Sequence, residues 1–222
     1  MKAFLAALLL ALPLAAAAQP PAPEAKPAPA PAPAPSPAEE EVGVLETTLG
    51  TMVIRFHEQD APQTVANFKK LVRDGFYDGR NFYRIVKGHV IQAGDGGEND
   101  KPKIKGEFNS RPFVPGAVGL ARGGDPDSGS TEFFICHVAR PHLDGKYANF
   151  GQLVEGMDVM EKIASVEVEE QWIGDEEPKV AFHGPKTPVV ISKARIEKRA
   201  LPPAAPAAEP APAPAPVPPP AR

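Results

Sequence analysis

Two short runs of hydrophobic residues, separated by a Lys-Gly turn, form the clearest local pattern in the chain. They span 82–94, and their apolar positions surround one arginine, Arg84, and one glutamine, Gln92. The pattern predicts a β-hairpin with Gly88 in its turn. A half-buried strand keeps such polar groups where a partner or a ligand satisfies them, or where they face solvent. The spacing alone leaves both interpretations of Arg84 and Gln92 open.

The remaining pattern between residues 42 and 199 predicts a sheet with two helices. Alternating apolar and polar positions predict a hairpin over 42–48 and 51–57, and further strands over 117–121, 132–138, 147–153 and 188–197. Apolar residues at helical spacing predict one helix from Asp60, as its N-cap, to Gly75, and a second helix over 156–164. Most connections are too short for parallel crossovers, and eight strands suffice to close a barrel. We therefore predict a mainly β fold, a closed eight-stranded antiparallel β-barrel capped by two α-helices.

Composition divides the chain into four segments. Residues 1–18 combine a basic start, an apolar run and small residues, which predicts a cleaved secretory signal peptide. Residues 19–41 and 200–222 are rich in Ala and Pro, and they favour disordered spacers because Pro lacks an N–H and fixes φ. The folded domain is then expected at 42–199. The Pro-rich segments have a second interpretation, as ligands of a proline-binding partner or of the protein's own pocket.

Charge and cysteine content argue against several classes of function. The net charge is −4 and the 42–199 segment is near balance, so nothing indicates a nucleic-acid-binding surface. Cys136 is the only cysteine, and its apolar neighbours favour a buried, inert thiol. The loop at 125–129 lacks the spacing of a calcium site, and His137 and His142 lack a third ligand nearby. We expect no metal, no cofactor and, in the mature form, no membrane span.

Ordered motifs across 42–199 resemble those of the cyclophilin family. They are Phe82-Tyr83-Arg84-Ile85, Gln92-Ala93-Gly94-Asp95, Phe133-Phe134-Ile135-Cys136, Leu143-Asp144-Gly145-Lys146, and Phe150-Gly151 with Glu155-Gly156-Met157. The short loops resemble the bacterial exported branch, which together with the signal peptide implies a periplasmic location. The resemblance implies a peptidyl-prolyl cis-trans isomerase that acts, as a monomer, on X-Pro segments of unfolded or exported polypeptides.

The resemblance also assigns roles to individual residues. Arg84 matches the catalytic arginine of the family, and Gln92 matches its polar neighbour. Phe134 and Leu143 match residues that line the proline pocket. Ala121 matches a position whose backbone neighbourhood holds the peptide.

Five further positions of the matched site depart from the usual family residues. They are His89 in place of Phe, Val90 in place of Met, His142 in place of an aromatic that is commonly Trp, Tyr147 in place of His, and Glu132 in place of Gln. The predicted pocket is therefore more polar than the family norm, and we expect weak affinity for cyclosporin. A carboxylate at position 132 is expected either to hold Arg84 in place or to reduce the effect of its charge.

The polar changes at His89 and His142 keep a different class of function open. In that alternative the domain is a proline-peptide-binding module or a chaperone with weak or no isomerase activity. An isomerase assay distinguishes the two, because a binding module would retain peptides without turnover. Neither function requires a nucleophile or a redox cofactor, since isomerisation breaks no covalent bond.

Overall fold

The computed structural model describes residues 39–95, 102–173 and 180–202 of the 222-residue chain. The strands are β1 (Glu39–Thr47), β2 (Gly50–Phe56), β3 (Arg84–Val86), β4 (Val90–Ala93), β5 (Ala117–Leu120), β6 (Phe133–Cys136), β7 (Asn149–Glu155), β8 (Val168–Ile173), β9 (Val180–Pro185) and β10 (Ile191–Ala200). The helices are α1 (Pro62–Arg73), α2 (Met157–Ala164) and a 3₁₀-helix at Pro141–Leu143. The expected signal peptide and most of both Pro-rich segments lie outside the described residues. Within the described ranges, no helix has the length and apolar character needed to cross a bilayer.

Eight strands form one antiparallel sheet in the order β10-β1-β2-β7-β5-β6-β4-β3. This order confirms the mainly β, antiparallel fold with two helices. The predicted closure into a barrel is wrong, because β10 and β3 end the sheet and form no ladder with each other in the described part of the chain. The segments before these strands are joined by an Asn81–Val190 bridge and by backbone bonds such as Phe82 N to Val189 O, 2.9 Å. Pro188, beside them, has no N–H with which to extend a ladder.

The sequence pattern does not predict the hairpin formed by β8 and β9. These strands pair with each other as a separate two-stranded sheet. Charged residues at two successive positions, Glu169 and Glu170, interrupt the alternation that marks the other strands. The hairpin therefore lacks the signal on which the other strand predictions rest.

The folded domain also begins and ends slightly outside the predicted boundaries. Strand β1 starts at Glu39, which pairs with Ala200 of β10, so residues 39–41 are strand rather than linker. Arg55 on β2 bonds to residues at both the start and the end of the folded domain. Its Nε donates to Glu40 at 3.1 Å and its Nη2 donates to the carbonyl of Pro202 at 2.5 Å.

Aromatic rings fill the core between α1 and the sheet. Phe68 of α1 is buried, and its ring lies 5.8 Å from Phe56, 5.0 Å from Tyr77, 5.4 Å from Phe133 and 5.2 Å from Phe150. Tilted and edge-on contacts of this kind each add about 0.5–1.5 kcal/mol beyond the burial of area. This cluster fixes the inner face of β6, and the opposite face of β6 is left for the site.

A distant carboxylate caps helix α1, and the prediction of Asp60 as its N-cap is wrong. Glu107 accepts hydrogen bonds from the backbone N–H groups of Gln63, at 3.0 Å, and Thr64, at 2.8 Å. Asp60 instead accepts a hydrogen bond from Nε of Arg111 at 2.7 Å. The free N–H groups at the helix start are thus satisfied by a residue far away in sequence.

Replacing Glu107 with Ala is expected to lower the free energy of unfolding by about 1–2 kcal/mol, the usual cost of a lost helix cap. Glu107→Gln should cost less, because an amide oxygen can still accept one of the hydrogen bonds. Urea denaturation followed by circular dichroism measures both values. Glu39→Gln, an exposed change of the same charge, is the control. Equal stabilities for all four proteins would show that the cap contributes nothing.

Candidate active site

The apolar run of β6 is buried on both faces, and alternation along the strand separates two environments. Phe133 and Ile135 face the main core beneath α1. Phe134 and Cys136 belong to a second apolar cluster that also contains Val90. Because successive side chains of a strand point to opposite faces, the strand contributes one pair to each environment. The second cluster is the floor of the site.

A cross-strand row places the polar candidates beside this cluster. Arg84 on β3 pairs with Gln92 on β4, Gln92 pairs with Phe134 on β6, and Phe134 pairs with Gly119 on β5. Directly paired residues share one face of a sheet. The row therefore runs from a half-buried guanidinium, through an amide, to an aromatic ring and a glycine.

The Phe134 ring lies among other rings that the strands position. It stacks on Phe113, with ring centroids 5.5 Å apart, and meets Tyr147 edge-on at 5.6 Å. Val90 is buried in the same cluster and Leu143 packs against it. Phe113 lies in a stretch that the sequence pattern predicts only as loop. In the sequence, Phe113 is a single aromatic residue shortly before strand β5. This is too weak a pattern to identify it as part of the site.

A carboxylate anchors the polar end of the row. Oε2 of Glu132 accepts hydrogen bonds from the Tyr83 hydroxyl at 2.5 Å and from Nε2 of Gln92 at 2.9 Å. Nη1 of Arg84 donates to the other end of the same amide, Oε1 of Gln92, at 3.1 Å. The expected link between Glu132 and Arg84 therefore runs through Gln92. Burial, then the hydrogen bond to Glu132 and its charge, raise the pKa of Tyr83 far above its usual range.

Two histidines lie together at the apolar rim. His142 is carried by the 3₁₀-helix, next to Leu143, and His89 closes the turn between β3 and β4 through its N–H to the carbonyl of Val86, 2.8 Å. The two imidazoles are stacked with centroids 5.9 Å apart. Burial, followed by the charges of Arg140, Arg84 and His142, lowers the pKa of His89.

A cavity adjoins the Glu132 end of the row. Ala121 lies there, and its N–H donates to the carbonyl of Glu132 at 2.9 Å. Arg122 lies over the Tyr147 ring, 4.6 Å from its centroid, and donates to the carbonyl of Lys146. The cavity measures about 440 Å³, and its walls include Tyr83, Gln92, Ala121, Arg122, Ser130 and Glu132. Sequence reasoning did not single out Arg122.

The sequence of most of the described residues matches one protein family. The family described as cyclophilin type peptidyl-prolyl cis-trans isomerase/CLD matches residues 43–195. The chain belongs to the cyclophilin family. This match confirms the resemblance that the ordered sequence motifs indicate.

Curated proteins similar to this cyclophilin carry the isomerase name. A peptidyl-prolyl cis-trans isomerase of Synechococcus elongatus is 44% identical over 113 residues, which cover 49% of this chain and 77% of that protein. One of Helicobacter pylori is 36% identical over 127 residues, which cover 54% of this chain and 77% of that protein. Family and relatives together identify this chain as a peptidyl-prolyl cis-trans isomerase.

Solved cyclophilins share the architecture at lower sequence identity. One from Cryptosporidium parvum, determined in the presence of the dipeptide Ala-Pro, has a TM-score of 0.62 at 21% identity, covering 70% of this chain and 98% of that chain. Cyclophilin AquaCyp293 from Hirschia baltica has a TM-score of 0.56 at 26% identity, covering 69% of this chain and 72% of that chain. The first similarity concerns the fold alone.

The other candidate reactive groups of this cyclophilin, Cys136 and His137, are buried or hydrogen-bonded within the fold. Burial raises the pKa of the Cys136 thiol to about 12, so the thiolate is not available at neutral pH. Nδ1 of His137 accepts a hydrogen bond from the N–H of Gly88 at 2.9 Å, and its Nε2 contacts Glu161 on α2. Across residues 39–95, 102–173 and 180–202, no group of three or more His, Cys, Asp or Glu is arranged to hold a metal ion.

Replacing Glu132 with Ala in this cyclophilin is expected to lower kcat/KM for an X-Pro peptide by about tenfold. The change removes the carboxylate oxygen that accepts from both the Tyr83 hydroxyl and the Gln92 amide, and a donor that loses its acceptor on burial costs about 1–3 kcal/mol. Glu132→Gln is the matched variant, because its amide oxygen accepts both hydrogen bonds without the charge. We expect it to keep most of the activity. Equal losses in the two variants would show that the charge, not the hydrogen bonds, is required.

Proposed function

We propose that this cyclophilin isomerises X-Pro bonds of exported polypeptides, with Arg84 as the catalytic cation. The observation that carries the proposal is the row Arg84, Gln92, Phe134, which sets a guanidinium at the edge of an apolar ring cluster. A prolyl imide has matching chemistry, with a hydrocarbon ring bonded directly to the nitrogen around which rotation occurs. The remaining residues of the site hold the Arg84 guanidinium and the Phe134 ring in this arrangement.

The barrier to isomerisation is the resonance of the imide bond, about 18–20 kcal/mol. As the C–N bond twists, the proline nitrogen becomes pyramidal and gains a lone pair. A fixed donor aimed at that nitrogen stabilises the twisted state more than either planar state. Arginine suits this role, because it stays charged at all working pH values and its planar group offers several donors. The Gln92 amide, held by Glu132, limits the directions that Arg84 can take.

The apolar cluster contributes by holding the proline ring while the preceding residue rotates. An acceleration of 10⁵-fold corresponds to about 7 kcal/mol. One charge-assisted hydrogen bond contributes only about 1.5–3 kcal/mol. The remainder must come from binding the distorted peptide more tightly than the planar one. Phe134, Val90 and Leu143 are the residues that we assign to holding the proline ring itself.

The proposal of exported clients rests on the first 18 residues, whose basic, apolar and small-residue order is that of a secretory signal. We propose a periplasmic, monomeric enzyme whose clients are unfolded segments that contain proline. Mass spectrometry of the protein purified from a periplasmic extract tests this, with Gln19 expected as its first residue. An N-terminus at Met1 in the cytoplasmic fraction would contradict it.

A proline-isomerisation assay tests the catalytic proposal directly. The chain from residue 19 onward, and residues 39–202 alone, are each mixed with a short X-Pro peptide, and the rate of cis-to-trans conversion is followed. We expect catalysis from both, because the contacts of the site lie within 39–202. Peptide binding without turnover would instead favour the binding-module alternative. A lower apparent KM for residues 39–202 than for the longer chain would indicate that the Pro-rich segments compete for the site.

A further inference from the structure

Arg140 lies close to the apolar rim of the site, and it carries a guanidinium nitrogen that no described residue satisfies. Its side chain is half-buried, and its Nε is buried without a hydrogen-bond partner. No carboxylate of the described residues lies within ion-pair distance of it, whereas Arg55, Arg111 and Arg199 each have one. Removing a cation from water without a partner is costly, so a group of this kind is a candidate to bind an anion.

The backbone holds Arg140 beside the two rim histidines. Its N–H donates to the carbonyl of Phe113 at 2.7 Å, and its own carbonyl accepts from the N–H of Leu143 at 2.9 Å, so it starts the 3₁₀-helix that carries His142. The stacked partner of His142, His89, has its own buried and unpartnered atom, Nδ1. Three nitrogen-bearing side chains thus share one edge of the proline pocket.

The carboxylates on neighbouring elements are engaged elsewhere. Asp144 accepts a hydrogen bond from the N–H of Phe113 at 2.8 Å. Glu132 is held by Tyr83 and Gln92, and Glu161 contacts His137. None of these carboxylates lies within ion-pair distance of Arg140 in the described structure.

We propose that Arg140, His89 and His142 form an anion subsite that receives a carboxylate of the client next to the isomerised proline. The proposal rests on the proposed function, and it specifies which X-Pro segments are favoured: those with Asp or Glu adjoining the proline. Arg140 supplies the permanent charge, and the imidazoles supply donors on the facing side.

The subsite couples anion binding to proton uptake. Burial lowers the pKa of His89, and so do the charged groups of the described residues that act on it, Arg140, Arg84 and His142. A bound carboxylate acts in the opposite direction, since a neighbouring negative charge favours the protonated imidazole. The complex therefore holds more protons than the free enzyme near neutrality, and preference for acidic peptides rises as the pH falls.

The test measures kcat/KM of the chain from residue 19 onward on matched acidic and neutral peptides. Two pairs of peptides are used, both with blocked ends. In the first pair, Ala-Pro-Glu and Ala-Pro-Gln, the varied residue follows proline. In the second pair, Glu-Pro-Ala and Gln-Pro-Ala, it precedes proline, so the experiment also shows on which side of proline the carboxylate binds. We expect kcat/KM to be about threefold to tenfold higher for the acidic peptide of one pair, the range of a partly exposed charge-assisted contact. The ratio should be larger at pH 6 than at pH 8 and smaller in high salt.

Arg140→Gln should bring this ratio close to one, whereas Lys198→Gln, the same loss of charge on β10, should leave it unchanged. Because each ratio is taken within one variant, a general change in activity does not affect it. Should Arg140→Gln fail to fold, His142→Gln on the exposed face of the 3₁₀-helix is expected to lower the ratio at pH 6. Equal rates for acidic and neutral peptides in the unaltered protein, or an unchanged ratio in Arg140→Gln, would overturn the proposal.

Failure of the proposed function gives a different result. A protein without isomerase activity turns over neither the acidic nor the neutral peptide. Calorimetric titration with the same blocked peptides then measures the subsite alone, through the ratio of their dissociation constants. A ratio near one in that experiment would also overturn the anion subsite.

Discussion

Replacing Arg84 with Ala is expected to lower kcat/KM on a short X-Pro peptide by about two to three orders of magnitude, the usual cost of removing a preorganised donor at a transition state. The loss should fall mainly on kcat, because the guanidinium is needed most when the imide nitrogen becomes pyramidal. The apolar cluster of Phe134 is untouched, so peptide affinity should change less. Isomerisation kinetics and an equilibrium titration with the same peptide separate the two effects.

Two further variants make the Arg84 result specific. Arg84→Lys keeps the positive charge but loses the planar group that bonds to Gln92, so intermediate activity is expected. Arg73→Ala removes an arginine of helix α1 that pairs with Glu41, and its activity should match that of the unaltered protein. Near-normal activity in Arg84→Ala, with the fold intact by circular dichroism, would remove the arginine mechanism and leave the family assignment standing.

The hairpin that contains Arg84 shows how far local pattern predicts this site. Two apolar runs around a Lys-Gly turn predict β3 and β4, and the structure has them, with Gly88 at φ +71° in the turn. Period-2 alternation then dictates that Arg84 and Gln92 share a face once the register is set. The sequence did not determine whether that face meets solvent or a ligand. That depends on β6, some forty residues away.

Apart from the local β8–β9 hairpin, the features that sequence reasoning missed depend on parts of the chain that are distant in sequence. Glu107 caps α1 from another loop, and a local N-cap signal at Asp60 is overruled because Arg111 pairs with that carboxylate. Phe113 is held at the pocket by Arg140 and Asp144, which bond to its own backbone carbonyl and N–H. Arg140 gains its significance from the absence of an ion-pair partner in the described structure. Periodicity and motif spacing describe neighbours in sequence, so they carry no information on these contacts.

Closure of the sheet illustrates the same limit at the level of the fold. Eight strands are enough to close a barrel. Whether the two end strands pair depends on the segments that lead into them. Here those segments meet through the Asn81–Val190 bridge instead of a ladder. The number of strands in the main sheet was right and the closure was wrong, because the register between the first and last strands is not encoded in either strand alone.

Replacing Gly119 with Ala is expected to reduce kcat/KM by at least tenfold through the proline pocket, without touching a polar group. Gly119 lies opposite Phe134 in the ladder, and a Cβ there would press on the Phe134 ring and lie 2.7 Å from Cε1 of Phe113. Both rings are buried and in contact with each other, so neither can move away freely. The Phe134 ring would be pushed towards the space that the proline ring must occupy.

Overpacking of this kind costs about 1–3 kcal/mol, so Gly119→Ala should also lower the urea midpoint. KM should rise by a larger factor than kcat falls, the reverse of the expectation for Arg84→Ala. The reason is that the pocket holds the proline ring equally in the planar and twisted states. Gly124→Ala is the control, since a Cβ there meets nothing within 4 Å. Adding Phe113→Leu to Gly119→Ala makes room behind the ring and should restore part of the activity. Normal activity in Gly119→Ala would show that the Phe134 ring does not form the proline pocket.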